Sequence, residues 1–172
     1  MAADSGRTAT PAREASDYET LFPELWRKAY VVAYQVLGSQ AQAEDAAQEA
    51  MARAYSWWGR IHKSPHGWVA KTAYTQAIDA VRRQVRHKEV LGGDDPERPA
   101  GDPRLEDRLD LAAAIERLPR RQREVIVLRY LADQSEADTA AALGLRITTV
   151  RKHAQRGLAQ LGGHLATEAR EG

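Results

Sequence analysis

The stretch SEADTAAALGLRITTVRKHAQRGLAQL, Ser135 to Leu161, constrains the fold of this chain more than any other. Ser135 is placed to cap a short helix over Glu136 to Leu143, because its hydroxyl can accept from first-turn N–H groups that have no intrahelical partner. Asp138, three residues on, completes a variant of the capping box. Gly144 then ends the helix, being able to take positive φ at little cost. A second helix is expected from near Thr148. Its apolar residues Ile147, Val150, Ala154, Leu158 and Leu161 recur at i, i+3, i+7, i+11 and i+14, one stripe of a helix. At about 100° per residue, Thr148, Arg151, Lys152, Gln155 and Arg156 point the other way. A short helix, a glycine turn and a helix with an outward basic and amide face read as a helix-turn-helix. An ordinary helical hairpin with a solvated basic face is the alternative the pattern leaves open.

The rest of the chain reads as helix too. Residues 1–15 are small and polar and are expected to form a disordered leader. Ser16 with Glu19 makes a capping box for a first helix, carrying Leu21, Phe22, Leu25, Ala29, Val32 and Val36 and stopping at Gly38, with Pro23 in or near the first turn. Ser39 with Gln42 opens a second helix to about Trp58, its stripe formed by Ala43, Ala47, Ala50, Ala54 and Trp57. Ser64 and Pro65 start a third, reaching about Lys88. Three helices joined by such short loops predict an all-α domain over 16–88. Residues 89–104, with three prolines and three glycines, predict a flexible acidic linker. Asp102 and Pro103 then start a helix through Arg117, and Pro119 another with Val125, Ile126, Leu128 and Leu131, leading into the helix-turn-helix. This gives a second small domain over 105–164 and an unpatterned tail over 165–172.

Net charge is only +1, too little to mark a nucleic-acid partner by bulk charge, but the charges are segregated. Arg117 to Arg156 holds nine Lys or Arg against four acids, whereas Glu89 to Asp110 holds eight acids against three arginines. With no cysteine the chain can form neither disulfides nor thiolate metal sites, which suits a reducing, cytoplasmic setting. No apolar run is long enough to span a membrane. His62 and His66 straddle Ser64-Pro65 and share no helix turn, so neither a metal nor another cofactor is expected. Phosphate-loop, GxSxG and HExxH motifs are lacking, and no residue set supports catalysis.

The third helix is the other informative element. Ala70, Tyr74, Ala77, Ile78, Val81 and Val85 gather on one side, while Trp68, Thr72, Thr75, Asp79, Arg82, Arg83 and Arg86 lie broadly on the other. An exposed aromatic, then hydroxyls, then arginines is what gripping unstacked bases and a phosphate chain requires. A buried Trp68 beside merely solvated arginines is the competing reading, since tryptophans are usually mostly buried. On the second helix Asp45, Gln48 and Glu49 form an acidic and amide face.

Together these residues resemble an extracytoplasmic-function (ECF, group IV) sigma factor of bacterial RNA polymerase, over roughly Tyr18 to Leu161. The most specific part is Leu118-Pro119, Gln122-Arg123-Glu124 and Leu128-Arg129-Tyr130, followed by Ser135, Glu136, Ala140, Leu143-Gly144, Val150 and Leu158. This looks like the domain four that binds the minus-thirty-five element. The resemblance implies DNA contacts by Arg146, Thr148, Thr149, Arg151, Lys152, Gln155 and Arg156. HGWVAKTAYTQAIDAVRRQ looks like the domain-two segment that recognises and melts the minus-ten element, implying roles for Trp68, Lys71, Thr72, Thr75, Gln76, Asp79, Arg82, Arg83 and Arg86. AEDAAQEA looks like the helix that docks on the β′ clamp helices, implying docking by Glu44, Asp45, Gln48, Glu49, Arg53 and Trp58, with domain four meeting the β flap. The resemblance also admits an anti-sigma factor as a partner.

Thr75 stands where the family usually has asparagine, Arg146 where it usually has a Ser cap, and Lys152, His153 and Gln155 replace commoner recognition-helix residues. A family-average promoter sequence is therefore not implied. The competing function is a free-standing regulator that binds operator DNA as a dimer, which needs neither the Trp/Thr/Arg helix nor the acidic tether.

Overall fold

A computed structural model describes residues 11–61, 64–91 and 104–171 of the chain. The helices are α1 (Pro11–Leu37), α2 (Gln40–Ser56), α3 (Trp58–Ile61), α4 (Pro65–Leu91), α5 (Leu105–Arg117), α6 (Arg120–Ile126), α7 (Glu136–Leu143) and α8 (Ile147–Glu171). A five-residue π turn, Val127–Leu131, continues α6. Among the described residues there is no strand, and the fold is all-α as expected.

In the N-terminal half α1, α2 and α4 pack on one another. Their contact is made by small residues of α2, Ala43, Ala46, Ala47, Ala50 and Ala54, which let the helices approach closely. Ala47, Ala50 and Ala54 form one buried cluster with Leu25, Ala29, Met51, Val69 and Ala73, while Ala43 and Ala46 join a second with Val32, Val36, Tyr74 and Ile78. In the C-terminal half α6 and α7 pack against α8, and the π turn lays Leu128 into the core. The chain then reverses through Asp133, whose φ of 47° is one that Asp adopts more readily than most residues. The boundaries at Gly38 (φ 67°) and at Pro65, the first residue of α4, agree with the sequence.

Several expectations give way. α1 begins at Pro11, ahead of Ser16, because proline at the first helical position needs no N–H partner and Ala12 to Ala15 are mostly strong helix formers. The leader expected over 1–15 is thus helical from residue 11, and residues 1–10 lie outside the described residues. Pro23 sits inside α1 and removes one helical hydrogen bond there. α4 runs on through Leu91, past the expected linker start at Glu89, since Glu89, Val90 and Leu91 extend it without a breaker. The remaining linker, 92–103, lies outside the described residues. The tail from 165 is also helical to Glu171, because Ala, Glu and Arg propagate a helix without an apolar stripe.

The stripe of α8 is also displaced. Val150 and Leu161 are buried, but Ile147 and Leu158 are exposed, and Gly157 takes the place expected of Leu158. A Cβ at Gly157 would stand 2.9 Å from Ile126 Cγ1, so α8 and α6 meet where only a hydrogen fits.

Candidate nucleic-acid interface

The helix-turn-helix is built as its sequence chemistry predicts, with one change. Ser135 Oγ accepts from the Asp138 N–H at 3.0 Å and caps α7, but it returns its own hydroxyl proton to Asp138 Oδ2 at 2.5 Å. The box therefore closes through the hydroxyl, where the standard form uses the capping residue's backbone N–H. Gly144 ends α7 at φ 64°, and the Leu145 N–H reaches back to the Ala140 carbonyl at 2.9 Å. Arg146 occupies the cap position of α8 through its backbone: its carbonyl accepts from Thr149 and Val150 while its side chain faces solvent. Thr148, Arg151, Lys152, Gln155 and Arg156 are exposed and Thr149 is half-buried. Arg151 Nε meets Glu136 Oε2 at 2.7 Å. An ion pair so exposed contributes little, so Glu136 holds Arg151 in position without preventing its exchange onto a phosphate.

On α4, Thr75, Arg82, Arg83 and Arg86 are exposed and Thr72, Gln76 and Asp79 half-buried. Thr72 and Thr75 donate their hydroxyl protons to the carbonyls of Trp68 and Lys71, at 2.9 and 3.0 Å, which turns their oxygen lone pairs outward. Asp79 pairs with Arg82 at 3.7 Å. The expectation of an exposed Trp68 is corrected: it is half-buried and packs on the N-terminal core, because the first turn of α4 rolls it toward α1 and α2.

On α2, Asp45, Gln48, Glu49 and Arg53 are exposed, with Arg53 Nε donating to Glu49 Oε1 at 2.7 Å. Glu44 is half-buried and accepts from Gln40. Asp45, Glu49 and Arg53 share a polar groove of about 530 Å³ with Gln76 and Arg83 of α4, so the two faces are contiguous. Trp58, expected with these residues, does not share their exposed face. The helix breaks at Trp57 (φ −113°, ψ 10°), which rephases the pair. Trp58, 9% exposed, packs edge-on against Tyr18 at 5.0 Å, whereas Trp57, 50% exposed, lies beneath the Arg60 guanidinium at 4.9 Å.

Sequence reasoning missed two acids of the C-terminal half. Glu124 Oε1 meets Lys71 Nζ of α4 at 2.9 Å, and Glu116 Oε2 meets Arg82 of α4 at 2.7 Å. Burial pushes the Glu124 carboxyl up, but the hydrogen bond and charge of Lys71, and then of Arg121, hold it below the ordinary carboxylate value. Its ion pairs thus stabilise the fold above that ordinary value and are lost as pH falls through the lowered one. Burial, and then Glu116, push the Tyr74 hydroxyl up; it donates to Glu116 Oε1 at 3.0 Å. The available signal was that Glu124 is the sole acid between Arg117 and Ala132. No group of three or more His, Cys, Asp or Glu among the described residues is placed to hold a metal ion, and no helix among them is long and apolar enough to cross a membrane.

A helix-turn-helix whose second helix presents exposed basic residues, joined to a three-helix unit with exposed arginines on α4, is the kind of architecture that DNA-binding proteins use. Residues 21–87 match the Sigma-70 region 2 family and residues 108–161 the Sigma-70, region 4 family. The ECF RNA polymerase sigma factor SigL of Mycobacterium tuberculosis is 33% identical over 164 residues, 88% of each chain. SigE of Mycolicibacterium smegmatis is also 33% identical, over 153 residues, 84% of this chain and 60% of that protein's length. The fold is similar to that of CnrH, solved with the cytosolic domain of CnrY, at TM-score 0.55, 20% identity and coverage of 91% and 94% of the two chains. It is similar also to RpoE of Bartonella quintana, solved with the anti-sigma factor NepR, at TM-score 0.50, 19% identity and coverage of 87% and 97%. The chain belongs to the ECF sigma factors, the promoter-specificity subunits of bacterial RNA polymerase.

Proposed function

We propose that this chain is a dissociable subunit that brings recognition to core polymerase and leaves all bond chemistry to it, working in the cytoplasm. Domain two, over 16–88, docks through Glu44, Asp45, Gln48, Glu49 and Arg53 on the β′ clamp helices. Its α4 reads the minus-ten element and takes the opened non-template strand along Thr72, Thr75, Gln76, Asp79, Arg83 and Arg86, with Lys71 and Arg82 joining once freed. Domain four, over 105–164, contacts the β flap and reads the minus-thirty-five element with α8. The acidic linker tethers them, and an anti-sigma factor is a further partner by analogy with the complexes of CnrH and RpoE. The observation that carries this reading is the presence of two separate basic surfaces in one short chain, one on a helix-turn-helix and one on α4. The region 2 match gives the N-terminal helices a task that an operator-binding dimer would leave to dimerisation.

Each surface is small, so free protein should bind promoter duplex weakly. Core enzyme fixes the spacing of the two and should tighten binding by about a hundredfold or more, as two linked sites engage together. Gel shifts with and without core enzyme test this, and tight, sequence-specific binding by a free dimer would favour the operator-binding regulator.

A further inference from the structure

One cation of α8 is tied to the helix before it. Arg151 Nε donates to Glu136 Oε2 of α7 at 2.7 Å, across the Gly144 turn. Lys152 and Arg156 are exposed on the same helix, and among the described residues neither has a carboxylate partner. The side chain of Arg151 is 65% exposed and that of Glu136 34%, so the carboxylate is the more sheltered partner and the guanidinium the more open. The cap of α7 does not use Glu136, being made by Ser135 and Asp138.

Which nitrogen is engaged decides what the guanidinium can still do. A guanidinium presents two forked edges to a planar acceptor pair: one joins Nε to an η nitrogen, the other joins the two η nitrogens. Glu136 occupies Nε, and among the described residues no acceptor meets either η nitrogen. The end-on fork is therefore left free. That fork matches the O6 and N7 acceptors of guanine in the major groove, the contact by which an arginine tells guanine from the other bases.

Resting on the sigma reading, we infer that Glu136 is a positioning residue for promoter recognition, holding the end-on fork of Arg151 toward one guanine of the minus-thirty-five element. A phosphate contact would draw the guanidinium off Glu136 and leave the carboxylate facing a backbone of its own charge. A guanine contact leaves the ion pair intact, and a side chain already tethered loses less rotamer freedom on binding. Glu136 also sets a negative charge beside the DNA-facing helix, which lowers affinity for DNA of any sequence. It thus trades general affinity for discrimination, two effects of opposite sign that a merely structural residue would not produce.

The test uses the full-length protein with core enzyme. Wild-type holoenzyme first selects duplexes from a library randomised over the minus-thirty-five element. Arg151→Ala, Glu136→Ala and the double variant are then measured on the selected promoter, its single-base variants and a random duplex. Wild type should prefer guanine at one position by about tenfold or more, and Arg151→Ala should erase that preference alone. Glu136→Ala should cut it to about threefold or less, because an untethered arginine must be ordered on binding. The same variant should bind random duplex more tightly, with a salt slope steeper by about one as Arg151 turns to a phosphate. The double variant should show the base preference of Arg151→Ala, since Glu136 acts through Arg151 and the two changes are then not additive.

The inference is overturned if Arg151→Ala leaves every base preference in place, if Glu136→Ala retains the full guanine preference, or if Glu136→Ala weakens all duplexes alike. Enrichment of a promoter sequence by the wild-type holoenzyme alongside any of those results removes the positioning role alone. Failure to enrich any sequence removes the sigma reading and this inference with it.

Discussion

Asp45→Lys combined with Glu49→Lys should abolish recovery of core polymerase with the protein, a loss of more than about a hundredfold in affinity. Both side chains are exposed on α2, so neither change opens a cavity or buries a charge. The Glu49–Arg53 pair is lost, but an exposed i,i+4 pair contributes only about 0.3–0.5 kcal/mol, far too little to unfold a domain. The effect on docking is larger because an interface that has accepted two carboxylates must instead accommodate two ammonium groups, and like charges brought together cost several kcal/mol. Circular dichroism should be unchanged, and affinity-tag recovery of core subunits should fall to background. Normal recovery would move the docking surface off this face of α2.

Leu128→Ala should give the largest loss of stability, about 2–5 kcal/mol, from lost transfer free energy and the cavity left behind. Leu128 is 0% exposed at the junction of the π turn with α5, α6 and α8. A loss of that size is a large fraction of the roughly 5–15 kcal/mol that holds a domain folded. Leu158→Ala is the informative control. Periodicity places Leu158 in the buried stripe of α8, whereas it is 46% exposed, so its truncation should cost less than about 1 kcal/mol. Urea unfolding of both variants measures the difference, and equal losses would contradict the packing of α8 described above.

The contrast between those two leucines shows what the sequence could and could not reveal. The helix-turn-helix was legible because its signals are local: a Ser cap, a Gly at positive φ, and a basic face opposite an apolar one. The burial of Gly157 was not, because a close approach depends on what another helix presents, here Ile126. The Trp57–Trp58 pair was misassigned for a similar reason. One residue leaving helical geometry shifts the phase of all that follow, and nothing in the periodicity marks that break. The ends of α1, α4 and α8 overran their expected limits because helix-forming residues extend a helix beyond its apolar stripe. The contacts of Glu116 and Glu124 with α4 were least legible, since they span 34 and 53 residues of sequence and depend on how the two halves meet.

The central claim, that the chain lets polymerase open a promoter, is tested most directly by permanganate footprinting with core enzyme. Trp68→Ala is unsuitable because Trp68 packs on the N-terminal core, and Arg82→Ala would also release Glu116. Arg83→Ala with Arg86→Ala is cleaner, since both arginines are exposed on α4. On a promoter selected with the reconstituted enzyme, minus-ten thymines should become reactive only when the protein and core enzyme are both present. The paired variant should keep core binding, lose most of that reactivity, and recover transcription on a template with a pre-melted bubble. Full thymine reactivity with core enzyme alone would contradict the account, as would a folded, core-bound paired variant that opens the promoter as well as wild type.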